Sequence, residues 1–416
     1  MFELDNWLEI FYTIKKNKLR TFLTGFSVAW GIFMLIILLA SGNGLKNGVM
    51  SNFGDRAKNT VEVWSRRTSM PYKGNPANRR ITLDQKDFDL IDNQVPETEN
   101  VSASVSSYLT ASYNFESSEC NFEGVYPVLA SMAGIKIKDN KGRFINEVDM
   151  NERRKVAVIN GRLKEMLFKE EDPVGKMITA NNLNFKVIGV YEGSDWGDEK
   201  RAYIPFSTAQ MLFNKGWGIG SLTFTVNGLN TVEENQAFED RLRRKLAGLH
   251  RFDPADKRAI GMWNTMEDYL QTMGIFNAIN LFVWIIGIGT LIAGIVGVSN
   301  IMLITVRERT KEFGIRKALG AKPITILKLI LMESILITAV FGYVGMVMGI
   351  GISEAINFGM ESAGGGDDMT IFKNPTVDLT VAFGATVLMI ISGVIAGYFP
   401  ARKAVKITAI EAMRAE

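Results

Sequence analysis

The chain has 416 residues, a net charge of +3 and 22% charged residues, with a mean hydropathy of +0.08, averages that soluble proteins of two or three domains share. A single cysteine excludes an intramolecular disulfide, and a single histidine excludes the usual Cys/His zinc spacings and leaves a Ser-His-Asp triad only one candidate base. The averages conceal a segregation: four stretches are long and apolar enough to cross a bilayer, and one long block between them reads as ordinary soluble sequence.

In residues 1–20, Leu4, Trp7, Leu8 and Phe11 fall on one helical face and are followed by Lys15, Lys16, Lys18 and Arg20. This pattern predicts an amphipathic helix lying in the inner membrane interface. The first span is set at 21–41 by FLTGFSVAWGIFMLIILLA, which carries no charge. A cleavable signal peptide is the alternative, with Ala40, Ser41 and Gly42 as small residues near the cut. The apolar run is longer than a usual h-region, and a signal peptide has no use for the helix in front of it.

Residues 42–274 read as an extracytoplasmic mixed α/β domain inserted between spans 1 and 2. Short β-rich runs stand at 61–65, 155–159, 184–191, 201–206 and 221–226, bounded by Gly, Asn and Asp. Thr82 and Gln85 have the spacing of a capping box opening DQKDFDLIDNQV, and 231–250 is strongly amphipathic with Gly248 near its end. Asn181-Asn182 marks a turn between MITA and NFKVIGV. Cys120, in a β-rich run, reads as a core thiol, and His250, at a helix end, suits a capping or surface role. Asp195, Asp198 and Glu199 read as solvated loop charges, and no nucleophile, base and metal set stands out, so no catalysis and no metal site are expected. Gly175-Lys176 is the nearest approach to a phosphate loop, without its first Gly or its Ser/Thr. No cofactor is expected on this chain, any energy source is expected on another chain, and no nucleic-acid partner is expected.

The second span, 275–306, exceeds a bilayer's thickness and is expected to project on the outer side as a stalk. The third, 323–352, holds Lys328 and Glu333 in its first turns, and the fourth, 379–399, holds no charge. Small residues recur four apart in every span: Gly25 and Ala29; Gly289, Ala293 and Gly297; Gly345 and Gly349; Gly393 and Gly397. Such rows suit close helix packing, in a tight bundle or dimer, rather than an ion path. Glu333 is the one acid well inside a span, and an ion pair with Arg or Lys at the inner face is the first reading, ahead of a functional carboxylate.

Lys and Arg collect before the first span, between spans two and three, and in the tail 400–416 at Arg402, Lys403, Lys406 and Arg414, while the loop 353–378 is acidic. Both termini and the loop 307–322 are therefore expected in the cytoplasm. That loop, RERTKEFGIRKALGAK, carries six basic and two acidic side chains. Ile315, Ala318 and Leu319 share one face, Glu308, Arg309, Glu312 and Arg316 spread over the rest, Gly320 suits a helix end and Pro323 the first turn of the next helix. The positive-inside rule accounts for the cations; the interleaved acids and the helix-stop-helix order suit a docking surface.

Residues 303–322, LITVRERTKEFGIRKALGAK, resemble the segment after the second span in permeases of the MacB/FtsX type, where ERTxEIGIRxAxGA recurs. Residues 156–192 are similar to the family's external-domain pattern, and 399–416 to its ending, with Thr408 and Met413 in place of the commoner Pro and Leu. The resemblance implies a permease subunit of an ABC transporter in the bacterial inner membrane, driven by an ATPase on a separate chain through a coupling helix at 307–322. It further implies that Arg307, Glu308, Arg309, Glu312, Gly314, Ile315, Arg316, Gly320 and Ala321 contact or shape the ATPase groove. Work of this kind is mechanical, with the long second span moving the outer domain. Partners implied are the ATPase, a second copy or a related permease, membrane lipid, and a periplasmic adaptor with an outer-membrane channel. Export of a drug, peptide or other substrate, lipoprotein release, and regulation of cell-wall hydrolases are the three functions in play; the size of the outer block favours export.

Overall fold

The computed structural model describes residues 18–51, 57–192, 199–213, 216, 218–362, 372–376 and 379–406. The expected interfacial helix with Leu4, Trp7, Leu8 and Phe11, the loop charges Asp195 and Asp198, and the tail positions Thr408, Met413 and Arg414 lie outside the described residues. The chain divides into two units, one of residues 1–51 with 275–416 and one of 52–274.

The external unit runs β1 Thr60–Ser65, then a helix Gln85–Gln94, β2 Thr98–Tyr113, β3 Glu116–Val125, β4 Lys136–Gly142, β5 Val156–Asn160, β6 Met177–Ala180, β7 Leu183–Glu192, β8 Arg201–Pro205, β9 Ser221–Val226, a helix Val232–His250 and β10 Ile260–Asn264. One sheet has the order β10-β1-β9-β2-β3-β8-β5-β7-β4, with β6 paired to β2 and β7. The long β2 joins its two halves: Val101 to Ser104 run antiparallel to β9, and Val105 to Tyr113 antiparallel to β3. The β6–β7 hairpin turns at Asn181 and Asn182, both at positive φ (50° and 63°), as a two-residue primed turn requires. Phe224 stands opposite Val61 and Val101 in this sheet, all three buried, and the helix Val232–His250 contributes Phe238, Leu242 and Leu246 to the same apolar core.

Three sequence expectations need correction here. Thr82 does not cap the helix Gln85–Gln94. Leu83 is fully buried and bridged to Ile219, whose amide donates to its carbonyl at 2.8 Å, so the chain stays extended to that point. Asp84 is the cap: it accepts from the Lys86 amide, and Asp87 accepts from the Asp84 amide, both at 2.8 Å. The second correction is Glu199, which is not a solvated loop charge. It accepts from the Tyr108 hydroxyl at 2.8 Å and the Asn121 amide at 3.1 Å, and pairs with Arg201. Burial opposes its ionisation, but these donors together hold its carboxyl below the ordinary range. His250, third, is largely shielded, with Nε2 2.7 Å from Oδ1 of the buried Asp87. Cys120 is buried in β3, where desolvation pushes its thiol up to about 12.

Four helices of the chain are long and apolar enough to cross a membrane. Numbering helices in chain order across both units, these are α1 Lys18–Ser51, α8 Thr265–Glu308, α10 Pro323–Ser362 and α11 Leu379–Lys406; the external helices Gln85–Gln94 and Val232–His250 are α2 and α7, and α3 Leu129–Met132, α4 Glu147–Asn151, α5 Gly161–Phe168 and α6 Phe206–Leu212 lie between them. Each spanning helix is longer than the span read from hydropathy, because helical hydrogen bonding continues into the flanking polar residues. Residues 353–362 are consequently helix rather than loop.

α10 packs against α1 on one side and α11 on another. A Cβ at Gly345 would lie 2.3 Å from the Ala29 carbonyl oxygen, so only glycine admits this crossing. Gly349 meets Ile36 of α1, while Gly393 and Gly397 of α11 lie over Thr338 and Ser334 of α10. Ser334 Oγ donates across that contact to the Gly393 carbonyl at 3.0 Å. The α8 row behaves differently: Gly289 and Ala293 are exposed, and Gly297, near Ser27, faces α1 together with Gly287 and Gly294, which lie outside the row.

Candidate functional site

Between α8 and α10 lies α9, Thr310–Ala318, shorter than the 307–322 helix expected. Arg307 and Glu308 end α8, Arg309 is the one residue between the two helices, and Gly320 and Ala321 form the exit turn. Thr305 and Thr310 donate their hydroxyls to the carbonyls of Ile301 and Val306, each at 3.1 Å. Back-bonding of this kind loosens a helix, and it brackets the break at Arg309. The exit is a Schellman motif: the Ala321 amide donates to the Arg316 carbonyl and the Gly320 amide to the Lys317 carbonyl, each at 3.0 Å, with Gly320 at φ 91°.

Arg309 is the hub of the site. Its Nε and Nη2 bind Glu312 at 2.9 and 3.0 Å, its Nη1 lies 3.4 Å from Glu333 Oε2, and its guanidinium lies 5.2 Å from the centre of the Phe313 ring. Glu312 also takes Arg316 at 2.8 Å. Glu333 is 3% exposed, so the charge brought into α10 is paired with the start of α9. Phe313 is buried in the same apolar cluster as Val306, Ile326, Leu329 and Ile330, and Gly314 is buried beside it. Lys317 donates to the Val405 carbonyl at 2.6 Å, tying α9 to the end of α11. The inner face of α9 is thereby fixed to α10 and α11.

The outer face is free to meet solvent. Ile315 is 49% exposed and Leu319 83%, with Ile324 of α10 at 54%; the exposed Arg307, Lys311 and Lys322 belong to the same segment. Sequence reading placed Ile315, Ala318 and Leu319 on one face but did not find that Phe313 and Lys317 anchor the opposite one. The signal for Phe313 was its spacing from Val306 and Arg309, which charge had obscured. At the other end of the bundle, Asn47 donates to the Asn374 carbonyl at 3.0 Å and the Lys373 amide to the Gly44 carbonyl at 3.0 Å, pinning 372–376 to α1. Neither contact was legible in a run of Gly and Asn.

Four membrane-spanning helices, an α/β domain between the first two and a short charged helix between the second and third define a multi-pass membrane permease subunit. The chain belongs to the MacB-like permeases: residues 21–245 match the MacB-like periplasmic core domain and residues 284–409 the FtsX-like permease C-terminal. The inserted domain is thus periplasmic, and the family is one of ABC exporters. The macrolide export ATP-binding/permease protein MacB of Wolinella succinogenes is 29% identical over 98% of this chain and 60% of its own length. The pyoverdine export ATP-binding/permease protein PvdT of Pseudomonas putida is 27% identical over 97% of this chain and 58% of its own. The periplasmic region of MacB from Actinobacillus actinomycetemcomitans aligns at 23% identity with a TM-score of 0.42, covering 54% of this chain and 97% of that one. The chain therefore spans about 60% of the length of the first of these relatives.

Proposed function

We propose that this permease subunit transmits ATP-driven motion to its periplasmic domain, with α9 as the surface on which an ABC ATPase docks. The observation that carries this reading is the division of α9 into two faces. Its buried face is locked to α10 and α11 by the Arg309 and Lys317 contacts, and its open face presents Ile315 and Leu319 to a partner. A helix held on one side and open on the other moves the bundle when its partner moves. Arg307, Glu308, Arg309, Glu312, Gly314, Ile315, Arg316, Gly320 and Ala321 divide accordingly: Arg307, Glu308 and Ile315 are exposed, Arg309 and Gly314 face inward, Glu312 bridges Arg309 and Arg316, and Gly320 and Ala321 shape the turn. ATP and magnesium are bound by the ATPase.

In this reading α9 and both termini face the cytoplasm of a bacterial cell, where basic flanks are retained. The exposed row of Gly289 and Ala293 supports pairing with a second copy or a related permease. Relatives named for export of macrolides and of pyoverdine support export of a substrate across the envelope, with a periplasmic adaptor and an outer-membrane channel. Ile315→Glu and Leu319→Glu are the direct test, because both side chains are exposed and their replacement is expected to leave the fold intact. The tagged protein is purified in mild detergent, its partners are identified by mass spectrometry and their ATPase activity is assayed. Loss of the ATPase from both variants, at unchanged thermal stability, supports docking on α9; retention of the ATPase and of transport by both overturns it.

A further inference from the structure

The segment 66–80 between β1 and α2, RRTSMPYKGNPANRR, carries five basic side chains and no acid. It folds back on itself as a hairpin. Arg67 and Arg80 stand directly opposite in an antiparallel bridge, flanked by the Thr68 amide donating to the Arg79 carbonyl and the Ile81 amide to the Arg66 carbonyl, each at 2.9 Å. At the turn, Tyr72 and Asn75 exchange amide-to-carbonyl bonds at 3.0 and 2.9 Å. Ser65 pairs with Ile260, so the hairpin leaves the sheet beside the loop 251–259 that precedes β10. Hydrogen bonds join the two. Asp256, 1% exposed, accepts from the Ser69 amide at 2.6 Å, the Ser69 hydroxyl at 2.7 Å, the Met70 amide at 3.1 Å and the Arg258 amide at 3.0 Å. Arg79 Nη2 donates to the carbonyls of His250 and Arg251 at 2.6 and 3.1 Å, which caps the end of α7.

This arrangement gathers Arg66, Arg67, Arg80, Arg251, Lys257 and Arg258, all exposed, at one end of the domain. The acids of the same loop are occupied: Asp256 holds the hairpin, and Asp253 takes the Ala255 amide at 2.9 Å. None of the six cations makes an ion pair with a described residue. A surface that needs only solubility mixes both signs, and like charges directly opposite across a bridge are destabilising. Arg67 and Arg80 retain that cost, and the bonds through Asp256 hold the backbone in place against it. Met70 lies among the cations, 41% exposed, and Met and Arg are the residues enriched in protein interfaces where Lys is depleted. We propose that this end of the periplasmic domain docks an acidic protein surface, whose carboxylates pair with the guanidinium groups of the hairpin and of the loop 251–259. Guanidinium forks on a pinned backbone match carboxylates fixed on a folded partner, where geometry adds to charge. The inference concerns the periplasmic domain alone and stands apart from how α9 meets its partner.

A photo-crosslinking residue placed at Met70 of the full chain in intact cells reads the partner, and poly-L-glutamate binding to the purified full chain in detergent reads the charge chemistry. The expected adduct is a protein joined through a segment rich in Asp and Glu, and it is lost in the double variant Arg80→Glu, Arg258→Glu. Poly-L-glutamate binding should weaken roughly tenfold in that variant and fall steeply with added salt in the wild type. Arg80→Glu alone sets opposite charges across the bridge to Arg67, so its thermal stability should equal or exceed that of the wild type, which separates lost docking from lost folding. An adduct to lipid, an adduct through a segment without acids, no adduct, or poly-L-glutamate binding equal in the wild type and the double variant overturns the proposal.

Discussion

The periplasmic domain and the membrane bundle are held together by opposite materials. In the domain, Phe122, Phe185, Phe224 and Phe238 are fully shielded, and large side chains fill the space between sheet and helices. In the bundle the tightest crossings occur where there is no side chain, as at Gly345 over the Ala29 carbonyl. The difference follows from solvent. Water drives apolar side chains into the domain's core, whereas lipid is as apolar as leucine and rewards only close backbone approach and paired polar groups. The buried ion pair of Arg309 with Glu333 stands at the α9 end and not at mid-span.

The sharpest way to break this comparison is to put side chains into the glycine rows. Gly345→Leu forces a clash with α1 backbone and is expected to abolish the folded bundle, read as loss of a monodisperse peak in detergent. Gly289→Leu, from a row that looks identical in sequence, meets nothing within 4 Å and is expected to leave the protomer folded. A change in oligomeric state in that variant alone would assign the exposed row to a contact between copies. Equal damage from both substitutions would show that glycine in these helices acts through something other than close approach.

A smaller effect is expected at the ion pair. Arg309→Ala removes the guanidinium that lies 3.4 Å from the buried Glu333 carboxylate and is expected to cost about 3 kcal/mol of bundle stability, measured by thermal unfolding. Adding Glu333→Gln removes the buried charge and should recover part of that loss. Recovery of stability without recovery of ATPase co-purification would, on the proposed docking reading, separate the structural part of the pair from any part in docking. No loss in the single variant would mean that Arg309 is not what holds the Glu333 charge at this depth, and the contrast with the water-driven domain would weaken.

How much of each unit was legible in the sequence follows the same division. The four spans were readable because length and absence of charge are one-dimensional properties, and lipid imposes them on a helix whatever its neighbours are. Which residue of a row faces a partner was not, since Gly289 and Gly345 differ only in the helix opposite. In the domain, runs such as VEVWS and NFKVIGVY declared themselves by β-branched and aromatic residues. The strand β2, TENVSASVSSYLTASY, did not: its positions Val101, Ala103 and Val105 are separated by Ser102 and Ser104, a composition that reads as loop. At the candidate site the charged face of α9 was visible, but the pairing of Arg309 with a residue 24 positions further on needed the fold.

The smallest effect tests the boundary between those two kinds of information. Thr82 had the sequence spacing of a cap, yet Asp84 is the residue whose carboxylate takes the Lys86 amide. Asp84→Ala is expected to destabilise the domain by about 1 kcal/mol in denaturant unfolding, the usual worth of a cap. Thr82→Ala should change stability by no more than a few tenths of that scale, since Thr82 precedes a residue already held extended by its bridge to Ile219. The reverse order would mean that the helix starts earlier in solution, with the Leu83 bridge open. A tertiary contact, Leu83 buried against Ile219, then decides where a helix begins, and a local motif two residues upstream is overruled by it.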